Sequence, residues 1–374
     1  MMSKNVIEEI DLVVGNLIKG LEEKLRRASE DAAKAFIIIE ADNVFLRYAT
    51  DLIFSCFYKQ YGLIDYLSDR DYYSHMLETG IRGTSNPLIE IIHALPIIKF
   101  VADWFIDRFT VTGIMMRDIK GFIEKQTRLN LEAKQQMAKA KQQGLAFDLD
   151  DFTLKDGTRF KRNMIDPFID SFHEGKVTEL EYMNSSIFLF FAGIKTSADA
   201  LTRLLYRLAC HHQIQQKLRE SVIKDGPGSE FLGWCINESL RLDPPSPAGC
   251  SRQVSRDIEV EGGVVPKKTM VFTPPNTIHL MPEYWGEDAE QYKPERWKNA
   301  DEFHPMQFIP FGAGRRGCPG KEFALCEIRR LVCNLLTRYR IERCSKTSDS
   351  KLFRGPFYSF TIYEASTFIK IMRL

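Results

Sequence analysis

The chain has almost no excess charge of either sign: 51 Lys and Arg stand against 50 Asp and Glu, a formal net charge of +1 over 374 residues. A surface built to coat nucleic acid carries a basic excess that neutralises phosphates, so nucleic acid is excluded as a general partner. The eight cysteines (Cys56, Cys210, Cys235, Cys250, Cys318, Cys326, Cys333 and Cys344) form no C-x-x-C pair, and no signal-peptide run precedes them. That excludes a disulfide framework and points to reduced thiols facing the cytosol. The seven histidines lack metal-ligand spacing, which excludes a zinc enzyme, and His211-His212 is read as a helix cap. Internal repeats, low-complexity tracts and the G-x-x-x-x-G-K phosphate loop are missing as well. Intrinsic disorder is excluded by 26 Phe, 13 Tyr and 4 Trp.

What is present is mostly helical periodicity. The opening MMSKNVIEEIDLVVGNLIKGLEEKLRRA places Ile, Leu and Val on one face and Glu and Lys on the other, an amphipathic helix too polar to span a membrane. Helices are predicted over 42–57, 96–143 and 177–210, with helical signals continuing to Leu242, where Pro244, Pro245 and Pro247 stop them. The stretch 88–107 is unusually apolar and reads as helix core or as a substrate-facing or membrane-dipping surface. Residues 143–162 are polar and turn-rich, the best linker candidate. Residues 252–279 alternate around a Gly-Gly turn and predict short strands. A last amphipathic helix runs from Pro319 to about Tyr339. The fold class is mainly α with a small β-sheet, α+β.

The richest string is FIPFGAGRRGCPGKEFALCEIRRLVCNLL, 308–336. Gly312, Gly314 and Gly317 spell G-x-G-x-x-G, yet Pro305 and Pro310 stand where the dinucleotide fingerprint needs a buried strand. Cys318 offers different chemistry. It precedes Pro319, a residue favoured at the first helical position, and it follows Arg315 and Arg316. A thiol there is held as thiolate and is a soft ligand for iron. The bland alternative is a buried apolar thiol. Cys326 and Cys333 are read as packing thiols on the same helix.

Phe311, Gly314, Arg316, Cys318 and Gly320 together give F-x-x-G-x-R-x-C-x-G, which resembles the haem-binding signature of the cytochromes P-450. Three further strings follow the order of that family. Glu238 and Arg241 match its E-x-x-R pair, and i,i+3 spacing puts them on one helix face. Arg296 in PERW matches the third member of that structural triad. Ala192, Gly193 and Thr196 in AGIKTS resemble the stretch over the haem whose Thr relays protons. Lys195 departs from the pattern, because the family usually carries an acid there.

The resemblance is to the microsomal animal type. It implies haem b with Cys318 as axial ligand, Arg252 and Arg316 on its propionates, and Phe311, Gly314 and Gly320 shaping the loop. It implies insertion of one oxygen atom from O2 into a lipophilic small molecule. Pocket walls are expected from Phe188, Phe191, Ala192, Thr196, 247–249, Phe357 and Tyr358. Electrons would come from NADPH through a flavoprotein reductase, with cytochrome b5 as a further partner, docking near Lys321, Arg329 and Arg330. The implied location is the cytosolic face of the endoplasmic reticulum membrane, although no anchor segment is recognisable. Because the first Trp is Trp104, the expectation is a single P-450 domain, 1–374, incomplete at its N-terminus, with a sheet edge exposed near 258–275. Two other readings stand beside it: a haem-thiolate isomerase or dehydratase needing no external electrons, and a non-catalytic remnant that binds haem poorly.

Overall fold

In the computed structural model the described residues are 3–30, 36–62, 64–66, 111–143, 151–153, 157, 159–347, 352–353, 362–363 and 366–374. In chain order they form α1 (Lys4–Glu30), β1 (Phe36–Glu40), α2 (Ala41–Tyr58), α3 (Val111–Gln142), β2 (Asp151–Thr153), β3 (Arg159–Lys161), α4 (Asp166–His173), α5 (Glu179–Cys210), α6 (His212–Asp225) and α7 (Glu230–Leu242). There follow β4 (Arg252–Gln253), β5 (Ile258–Val260), β6 (Gly263–Val265), β7 (Met270–Val271), the one-turn helices α8 (Pro275–Ile278) and α9 (Pro282–Trp285), α10 (Lys321–Leu336), β8 (Tyr339–Arg343), β9 (Leu352–Phe353), β10 (Ile362–Tyr363) and β11 (Phe368–Arg373). Helix dominates and the sheets are small, as the α+β expectation requires. The apolar stretch 88–107 and the pair Phe357 and Tyr358 lie outside the described residues.

The chain divides into two compact units, Met1–Glu23 with Leu46–Lys195 and Lys24–Phe45 with Thr196–Leu374. In the first, the helical spacing of α1 buries Val6, Ile10, Val13, Val14, Leu17 and Ile18. Phe54 of α2 packs its ring against Phe122 of α3 and Phe190 of α5 at centroid distances of 5.5 and 5.4 Å. The Tyr58 hydroxyl donates to the Ser186 carbonyl at 3.0 Å, and Gln126 donates to the Tyr58 carbonyl at 2.7 Å, which ties α2 to α3 and α5 through polar groups. The start of α5 is a reciprocal cap: Thr178 Oγ1 accepts from the Glu181 N–H, and Glu181 accepts from the Thr178 N–H. The supposed linker contains instead an antiparallel pair, β2 with β3, with Gly157 at φ +86 between them, and it lies inside the first unit.

The second unit is organised around the antiparallel sheet β1-β11-β8, with Ile39 opposite Ile369 and Ile371 opposite Ile341. Gln215 of α6 clasps this sheet, donating to the Ile341 carbonyl and accepting from the Ile341 N–H at 2.8 and 3.1 Å. Arg219 donates to the carbonyls of Leu336 and Tyr339, which satisfies the end of α10. His211 bonds through Nδ1 to the Arg207 carbonyl at 2.8 Å, so it caps the last turn of α5 as expected. The alternating stretch forms two-stranded pairs, β5 with β6 and β4 with β7, and all three residues of β5 are exposed. Its end differs from expectation: 275–278 is helical because Pro275 opens a turn closed by the His279 N–H on the Pro275 carbonyl. Among the described residues no helix is long and apolar enough to cross a membrane.

Candidate active site

Cys318 lies in a loop whose shape is set by backbone bonds. The Cys318 N–H donates to the Phe311 carbonyl at 2.8 Å, the Gly312 N–H to Ile309 at 3.0 Å and the Gly317 N–H to Gly314 at 3.0 Å. Gly312 and Gly314 sit at φ +70 and +66, where a side chain is strained, so these two glycines let the chain double back around the sulfur. The thiol is exposed, whereas Cys56, Cys235, Cys333 and Cys344 are buried. Pro319 does not open the helix as expected. Gly320 holds the cap position and α10 begins at Lys321, while the sulfur lies over that cap, 3.8 Å from where a Gly320 Cβ would stand. Among the described residues no strand leads directly into the G-x-G-x-x-G glycines.

Glu238 and Arg241 meet as predicted and are completely buried. The Glu238 carboxylate accepts from Arg241 Nε and Nη2 (both 2.8 Å), Arg296 Nε (2.9 Å), the Lys293 N–H (3.0 Å) and Trp297 Nε1 (3.0 Å). Arg241 reaches on to the carbonyls of His279, Ala289 and Gln291. Trp297 and Lys293 were not foreseen in this network. A Trp directly after Arg296 was the available signal, since a buried indole N–H needs an acceptor.

On α5, Ala192, Gly193 and Thr196 are half-buried and Ser197 is buried. A Cβ on Gly193 would come within 2.7 Å of Ile53 Cδ1, so the missing side chain makes room for α2. Sequence reasoning missed Glu327 altogether. It sits on the apolar stripe of α10 between Phe323 and Leu331, is 1% exposed, and burial pushes its carboxyl up to about 8 against the opposing hydrogen bond from Ser197. The signal was a charge at i+4 spacing inside a hydrophobic face.

Arg316 and Arg252 are exposed, and Arg252 donates to its neighbour's carbonyl, Ser251 O, at 2.9 Å. Arg329 corrects the expected docking patch. It is half-buried and donates to the carbonyls of Pro227 and Ser229 at 3.0 Å each, and the Ser229 carbonyl accepts from the Gly233 N–H as well. Lys321 remains exposed.

The family model for Cytochrome P450 matches residues 2–370. The chain belongs to the cytochrome P450 family. Among curated proteins it is similar to cytochrome P450 3A13 of Mus musculus, 33% identical over 184 residues, which are 46% of this chain and 36% of that protein. Cytochrome P450 3A30 of Fundulus heteroclitus is 36% identical over 184 residues, 46% of this chain and 37% of that protein. Cytochrome P450 3A29 of Sus scrofa is 34% identical over 180 residues, 45% and 35% of the two chains. The match thus spans little more than a third of these P450 relatives.

The residues present fit the P450 cofactor. A single protein sulfur retains iron only when the other ligands arrive with the cofactor, as they do in a porphyrin. Cys318 supplies that sulfur in the open, and the exposed guanidiniums of Arg316 and Arg252 suit propionate carboxylates.

Proposed function

We propose that this P450 chain is a haem-thiolate monooxygenase that inserts one atom of O2 into a lipophilic small molecule, taking electrons from NADPH through a flavoprotein reductase, with cytochrome b5 as a second donor. The observation that carries the reading is the exposed Cys318 thiol, presented by the Phe311–Cys318 backbone bond in a chain matched by the family over 2–370. The match runs through both compact units, which supports one P450 domain made of the two. The resemblance to the microsomal animal type makes the cytosolic face of the endoplasmic reticulum membrane the working location.

In this reading Cys318 would hold the haem iron through its sulfur, Arg316 and Arg252 would hold the propionates, and Phe311, Gly314 and Gly320 would shape the loop. Bound haem supplies the activation of O2, which no side chain performs. Ala192 and Gly193 wall the substrate side, and Thr196 holds a proton at Oγ1. Lys195, a cation where the family has an acid, favours a second reading, rearrangement or dehydration without external electrons.

Labelled oxygen separates the two. With reductase, NADPH, 18O2 and a lipophilic alkylarene, one labelled atom in the product is expected; turnover of a peroxide substrate without NADPH and without label from O2 would overturn the proposal. Lys195→Glu is expected to raise the product formed per NADPH consumed, and an unchanged ratio would show that position 195 does not govern proton delivery.

A further inference from the structure

His279 is completely buried, the residue directly after α8, and the triad network alone gives it no role in the chemistry. Its two ends face different parts of the second unit. Its carbonyl accepts from Arg241 Nη1 at 2.8 Å, which attaches it to the Glu238–Arg241–Arg296 network. Its ring nitrogen Nε2 accepts from the Ile309 N–H at 2.9 Å, and the ring lies against Phe308 with centroids 5.2 Å apart. Ile309 is buried, and its own carbonyl accepts from Gly312, the first left-handed glycine of the loop in which Phe311 holds the Cys318 N–H. The bonds therefore run without a break from the buried ion network, through one imidazole, to the loop that presents the thiol.

We infer that His279 is a positioning residue for Cys318: by accepting the Ile309 N–H it fixes where the Cys318 loop leaves the buried network. The inference rests on the haem-thiolate reading for its consequence, but its geometry does not. An accepting Nε2 requires the neutral imidazole with its proton on Nδ1. Burial keeps the ring in that form, pushing it down to about 4 despite the opposing backbone carbonyls of Arg241 and Leu240. No aliphatic side chain can replace this acceptor, and a buried N–H without one is costly. A shape-matched ring would still pack on Phe308.

The test uses the full chain with two variants. His279→Phe keeps the ring packing and removes the acceptor; His279→Gln restores an acceptor oxygen near the position of Nε2. Amide hydrogen exchange at Ile309 and Gly312 is expected to rise roughly tenfold or more in His279→Phe, relative to amides of α7, and to return toward the parent rate in His279→Gln. Equal exchange in the parent and His279→Phe would overturn the inference, whether or not haem is bound. In the haem-loaded chain, the share of the ferrous–CO complex showing the strongly red-shifted Soret band is expected to fall severalfold in His279→Phe and to recover in His279→Gln. A parent chain without that band defeats the haem-thiolate reading while leaving the exchange measurement to decide on His279. A parent with the band, and a His279→Phe variant with the same share of it, would remove His279 from the positioning of Cys318.

Discussion

Around Glu238 a carboxylate and two guanidiniums are withdrawn from water and answered within the chain; around Cys318 the side chain with the most distinctive chemistry faces solvent. Charges in low dielectric survive only with partners, so the first region is built to hold and is sensitive to the loss of any member. The second is held by backbone bonds and glycines, leaving its sulfur available to a ligand from outside. Stability and chemistry are therefore carried by different side chains of one compact unit, and variants of each should separate them.

Glu238→Gln breaks the contrast most severely. It removes the carboxylate charge that offsets the buried Arg241 and should cost about 3–5 kcal/mol, read as a lowered denaturant midpoint. A loss below about 1 kcal/mol would mean that solvent reaches the network, since exposed pairs are worth no more. Arg329→Ala comes next, at about 1–3 kcal/mol, because the Pro227 carbonyl loses its Arg329 donor while Ser229 keeps only the Gly233 N–H. Lys321→Ala should change stability by less than about 0.5 kcal/mol and, under the proposed function, slow reduction by a flavoprotein reductase at low salt. Equal effects of the two on stability would contradict the inward placement of Arg329.

Proton linkage gives a further contrast. His279, lowered from 6.5 to about 4, binds fewer protons folded than unfolded, so its contribution is lost as pH falls through that window. Glu327, raised from 4.5 to about 8, binds more protons folded, so stability falls as pH rises through its window. Between pH 6.5 and 8 only the Glu327 slope remains of these two, and Tm measured against pH should flatten there in Glu327→Gln. An unchanged slope would place the carboxyl in contact with water.

The sequence made the helices legible because their signal is local. The buried spacing in α1 and the proline stop after α7 lie within a few residues of what they determine. The strand β1 escaped notice because its partner β11 lies at the other end of the chain, and FIIIE by itself carries no register. In the candidate site, Glu238, Arg241 and Cys318 were legible through their match to the motifs of the cytochromes P-450, with i,i+3 spacing and the loop glycines agreeing. Trp297, Glu327 and the inward turn of Arg329 depend on which acceptors tertiary packing leaves unanswered, and spacing does not encode that.

The smallest effect on stability belongs to the residue of largest chemical consequence. Cys318→Ser replaces an exposed side chain and should shift unfolding by less than about 0.5 kcal/mol. The decisive measurement is the ferrous–CO spectrum of the haem-loaded chain beside that of Cys318→Ser. The account predicts a strongly red-shifted Soret band in the parent, abolished by the substitution; its absence from the loaded parent, or its survival in Cys318→Ser, would contradict thiolate ligation by Cys318.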